Sequence, residues 1–122
     1  MRPWIAAVID LVLIVAFAAI GMSSHEESVD ALTLATVAWP FVAGGVIGWI
    51  VCLAWKNPAA PLRTGIPVWL LAAGGGMILR VVTGGGFAVP FLIVTLIVLG
   101  VFLLGWRAIA ALVSRIRARR AA

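Results

Sequence analysis

The sequence predicts an all-α membrane protein: four transmembrane helices in an antiparallel bundle, with both termini cytoplasmic. Three observations carry this. The 122 residues are 65% hydrophobic and 11% charged, the apolar residues fall into four long runs, and the charges gather where those runs end. Soluble domains hold about 45–50% apolar and about 25% charged residues, so a water-soluble monomer is excluded. The mean hydropathy of +1.24 excludes disorder as well, because a disordered chain needs low hydrophobicity. No run alternates polar and apolar residues as a membrane barrel strand would. In hydrocarbon the backbone must then satisfy itself as helix.

The helices are expected at about residues 4–22, 31–55, 66–82 and 87–106 or to 113, all within one domain over 1–122. Each is long enough to cross roughly 30 Å of hydrocarbon. The first run exceeds the 7–15 residues of a signal-peptide core and contains Asp10, so an uncleaved helix is expected. The polar break 21–30, Pro58 and Pro61 in the second break, and the glycine turn 83–86 separate the runs. Pro67 suits the first turn of the third helix, while Pro40 and Pro90 either kink their helices or occupy first turns. Pro40 frees the Thr36 carbonyl for a ligand or for the Thr36 hydroxyl. Such short connections make neighbours antiparallel.

Lys and Arg number nine against four Asp and Glu. If the helices cross in turn, Arg2, Lys56, Arg63, Arg107, Arg115, Arg117, Arg119 and Arg120 share one side. Glu26, Glu27 and Asp30 share the other. By the positive-inside rule the basic side is cytoplasmic. Trp4, Trp55, Trp69 and Trp106 fall near that same interface, where indole rings prefer to sit. The basic excess therefore serves topology, and no nucleic-acid partner is expected. The basic tail 114–122 places Arg115, Arg117, Arg119 and Arg120 for contact with anionic lipid; Arg107 is read with them as an anchor.

Two charges lie inside the apolar runs, Asp10 and Arg80, and an ionisable residue at that depth is a functional hypothesis by default. Asp10 lies roughly 9 Å along its helix from Trp4, and Arg80 roughly 16 Å from Trp69. Side chains lean toward the helix N-terminus, which brings Arg80 down toward Asp10. A buried Asp10–Arg80 pair facing the bundle interior is the expectation; the rival is Arg80 reaching out to Glu26, Glu27 or Asp30. A first-helix carboxylate also resembles the small multidrug-resistance exporters, which implies proton-coupled transport. The chain departs from them in having Asp for Glu, no tyrosine and a strong charge bias.

The outer cluster His25, Glu26, Glu27 and Asp30 offers one histidine beside carboxylates, a poor set for zinc. It reads as a solvated loop, and no metal is expected. Gly44, Gly48, Gly74, Gly75 and Gly76 permit close helix approach, within one bundle or in a homodimer. One cysteine, Cys52, and one histidine leave no nucleophile–base set, so neither an enzyme nor a cofactor is expected.

Taken in order, Asp10, His25, Trp39-Pro40-Phe41, Gly48-Trp49, Gly76, Arg80, Gly84 and Gly105-Trp106-Arg107 resemble a family of small bacterial and archaeal membrane proteins, domain of unknown function 3054. The resemblance spans roughly residues 4–113 and implies four helices in a plasma membrane with no assigned activity. The expected role is an accessory or interaction protein or a minimal transporter, in contact with anionic lipid and with a homodimer or protein partner open. The alternative is a proton-coupled carrier using Asp10 and Arg80.

Overall fold

Helices that are apolar on every side have no preferred wet face, and the long helices among the described residues are of that kind, the basic last turns of the fourth excepted. The computed structural model describes residues 1–24 and 30–121. Helix α1 is Pro3–Ser24 and α2 is Ala31–Val51. The helical span Pro61–Val82 is α3, and Val89–Ala121 is α4. All four are long and apolar enough to cross a membrane, and the described residues contain no strand. They form a ring in which α2 packs on α1 and along α3, while α4 closes against α1 and α3. Leu, Ile and Val side chains such as Val12, Ile20, Ile50, Ile78, Ile97 and Val101 cover the outside.

Several boundaries differ from expectation for local reasons. Helix α2 stops at Val51 rather than near residue 55, because Leu53 takes a left-handed conformation (φ 52°, ψ 54°) and a short 3₁₀ turn, Ala54–Lys56, follows. At its other end Asp30 caps α2 by accepting the Thr33 backbone N–H at 2.8 Å. That bond holds the carboxyl below its ordinary pKa. Helix α3 begins five residues early, at Pro61. There the Gly65 N–H reaches back to the Ala60 carbonyl at 3.0 Å, a wide π turn that carries the helix through Pro67, which has no N–H of its own. A second π turn covers Leu71–Gly75. Helix α4 does not stop at 106 or 113; the basic tail continues it to Ala121. Pro40 sits inside α2, and the Thr36 hydroxyl bonds the Leu32 carbonyl, not its own. Pro90 occupies the first turn of α4.

The glycines fix the α2–α3 contact inside one bundle. A Cβ on Gly44 would run into the Leu71 carbonyl, one on Gly48 would come within 2.9 Å of Val68 Cα, and one on Gly76 within 2.8 Å of Phe41 Cα. Gly75 lies 3.8 Å from Gly44 by the same measure, whereas Gly74 has no neighbour within 4 Å. Gly74 is therefore no helix-packing residue. Trp69 donates to the Leu96 carbonyl and Trp106 to Asp10, so both indole N–H groups are bonded within the protein. His25, Glu26 and Glu27 lie outside the described residues.

Candidate functional site

Asp10 is 3% exposed and faces the bundle interior, as expected, but its partner is not Arg80. Arg107, fully buried on α4, grips the carboxylate with both terminal nitrogens: Nη2 to Oδ2 at 2.6 Å and Nη1 to Oδ1 at 2.8 Å. Two indoles complete the shell. Trp49 of α2 donates to Oδ2 at 2.8 Å and Trp106 of α4 to Oδ1 at 2.9 Å. An ionised carboxylate offers about four acceptor positions, and here each oxygen takes two donors.

The arginine is held as firmly. Its Nε donates to the Pro58 carbonyl at 2.9 Å and its Nη1 also donates to the Leu103 carbonyl at 3.0 Å. The guanidinium carbon lies 4.6 Å from the Trp106 ring centre. Room for the stem comes from Gly65 at the start of α3, where a Cβ would approach Arg107 Cδ to 3.1 Å. The Pro58 segment is in turn fixed by Thr64, whose hydroxyl donates to the Asn57 carbonyl at 2.6 Å. One ion pair thus joins α1, α2, α4 and the α2–α3 connection.

Arg80 lies elsewhere because of where α3 ends. It shares a cavity with Phe17, Ala18, Gly21 and Met22 of α1, which places it roughly 10–18 Å along α1 from Asp10. Its Nε donates to the Gly86 carbonyl at 3.0 Å, and its guanidinium carbon sits 5.0 Å from the Phe91 ring centre. Among the described residues it makes no ion pair, with Asp30 or any other acid. Beneath it Phe17, Phe41 and Phe91 pack with ring centres 5.4 to 6.4 Å apart.

Sequence reasoning found Asp10 and missed Arg107, reading it with the basic tail. The missed signal was the same lean applied to Arg80. Helix α4 runs opposite to α1, so a side chain leaning toward its N-terminus carries Arg107 back into the bundle toward the depth of Asp10. Trp49 and Trp106 were visible as Gly-Trp pairs; Trp106 was read as an interfacial residue, and Trp49 had no assigned role.

The family model described as protein of unknown function DUF3054 matches residues 7–110. The chain belongs to this family. No curated protein and no solved structure matches the chain. The DUF3054 match takes in Asp10, Trp49, Pro58, Trp106 and Arg107, and it ends at residue 110, ahead of the four arginines of the terminal turns.

The indole bonds should be separable from the ring packing. Trp49→Phe keeps an aromatic ring but removes one donor to a charged acceptor, an expected loss of about 1.5–3 kcal/mol in unfolding free energy in detergent. Trp55→Phe alters a ring that is 46% exposed and should change little. Equal losses in the two variants would show that the Trp49 N–H contributes nothing.

Proposed function

We propose that this DUF3054 member is a multi-pass membrane protein with a non-catalytic accessory or interaction role, and that the Asp10–Arg107 pair is a structural clamp rather than a proton relay. The observation that carries this reading is the saturation of Asp10 by two guanidinium nitrogens and two indoles. A carrier carboxylate must exchange its partner for a proton or a substrate. Release here would leave a fully buried guanidinium without its counter-charge, a change that costs about 3–5 kcal/mol when a partner is deleted. The groove beside the pair, about 420 Å³, supports the same reading: apart from Asp10, Trp49 and Trp55 its walls are apolar, formed by residues such as Leu11, Val42, Val46 and Ile50.

In this reading the bundle lies in the cell membrane with its termini and the Asp10–Arg107 end on the cytoplasmic side, where Lys56, Arg63 and the α4 arginines collect. The last turns of α4 then carry Arg115, Arg117, Arg119 and Arg120 beyond the apolar core, toward anionic lipid. A dicyclohexylcarbodiimide reaction tests the clamp without knowledge of a substrate, since this reagent modifies carboxyl groups that become protonated within apolar surroundings. In proteoliposomes Asp10 should stay unmodified by mass spectrometry, and it should react once the protein is unfolded. Stoichiometric labelling of Asp10 in the folded protein would favour the proton-coupled carrier instead.

A further inference from the structure

The opposite end of the bundle holds an arginine that makes no ion pair among the described residues, set in a built cavity. The α3–α4 turn is shaped around it. Gly84 takes φ +94°, the Gly85 N–H bonds the Arg80 carbonyl at 2.7 Å, and the Gly86 carbonyl then receives Nε at 3.0 Å. Gly85 can make this turn only without a side chain, because a Cβ there would lie 2.5 Å from Arg80 Cγ and 2.7 Å from the Arg80 carbonyl oxygen. One edge of the guanidinium is thus fixed by the turn, and Phe91 lies against it. Nη1 and Nη2 have no protein acceptor among the described residues, and neither is a buried orphan.

The cavity that Arg80 lines measures about 360 Å³, within the roughly 300–1,000 Å³ of small-molecule sites. Its remaining walls are apolar: Phe17, Met22, Val37 and Phe87, with Gly21 and Gly86 leaving open space where side chains would stand. A cation presenting two donor nitrogens with no acceptor among the described residues, on an otherwise apolar chamber, matches one ligand chemistry. We propose that this chamber binds an anionic amphiphile, with a carboxylate or phosphate head on the Arg80 guanidinium and an apolar body among the phenylalanines, Met22 and Val37. Such a head accepts two parallel N–H bonds from arginine, and the Gly86 bond holds the fork ready for it. The same chemistry is supplied by an anionic membrane lipid or by a free fatty acid.

The test uses the full-length protein in a neutral maltoside detergent. Equilibrium dialysis of radiolabelled dodecanoate measures the free acid, and native mass spectrometry with phosphatidylglycerol against phosphatidylcholine measures the lipid. Wild type should bind one anionic amphiphile saturably, with dodecanol and phosphatidylcholine bound far more weakly. Arg80→Gln should weaken binding about tenfold or more. Gly21→Leu, which keeps the charge and fills space with no described neighbour within 4 Å, should weaken it comparably while the helical circular dichroism is retained. Preference for dodecanoate assigns the site to a free acid, and preference for phosphatidylglycerol assigns it to a bilayer lipid. The proposal is overturned if wild type shows no saturable binding, if dodecanol binds as well as dodecanoate, or if Gly21→Leu folds and binds like wild type.

Discussion

Asp10→Asn is expected to lower the unfolding free energy in detergent by about 3–5 kcal/mol, and Arg107→Gln by a similar amount, because each strands a buried charge. Against a typical total of about 5–15 kcal/mol, either loss brings the protein near its limit. The asparagine variant is the more instructive. Its amide is nearly isosteric with the carboxylate, so the loss measures charge and donor matching, not volume. An amide nitrogen placed at either oxygen position would also face an arginine nitrogen and an indole nitrogen, donor against donor. Denaturant titration followed by tryptophan fluorescence reads both losses. A loss below about 1 kcal/mol for both variants, the range of an exposed pair, would mean that the pair is not buried in the membrane-embedded protein.

The second large effect is expected at neighbouring glycines with opposite outcomes. Gly76→Ala places a methyl 2.5 Å from Phe41 Cδ1 and 2.8 Å from Phe41 Cα. The ring can shift but the α2 backbone cannot, so an overpacking loss of about 1–3 kcal/mol is expected. Gly74→Ala, two residues earlier, meets nothing within 4 Å and removes a helix-weakening residue, a gain of up to about 1 kcal/mol. Thermal melting of the two purified variants should therefore move in opposite directions. Equal shifts would show that α2 and α3 are not packed through Phe41 and Gly76.

The four apolar runs were legible because hydropathy and length alone define them, and Asp10 because an acid inside such a run must be paired or functional. The helix ends were less legible. The α2 stop depends on a left-handed leucine, Leu53, a residue type that gives no sequence signal for that conformation. The early start of α3 depends on a π turn that accommodates Pro67, where proline ordinarily marks a beginning. The partner of Asp10 was hidden by company: Arg107 precedes four more arginines on α4, and a charge run usually marks a solvated or lipid-facing end. Only the antiparallel course of α1 and α4, joined to the lean of the side chain, separates it from Arg115 and those that follow. Arg80 was legible as unusual, but its role depends on the Gly84–Gly86 turn folding back over it, which no spacing rule predicts.

The central claim is that Arg107, and not Arg80, holds Asp10. A double-mutant cycle tests it most directly, with unfolding free energies measured in one detergent for Asp10→Asn, Arg107→Gln, Arg80→Gln and the two doubles that contain Asp10→Asn. Residues in one hydrogen-bonded network couple by about 0.5–3 kcal/mol, whereas distant residues add within about 0.3–0.5 kcal/mol. The Asp10–Arg107 double should lose less than the sum of its singles by an amount in the first range, and the Asp10–Arg80 double should be additive. Additivity for Asp10 with Arg107, or coupling of that size with Arg80, would contradict the clamp.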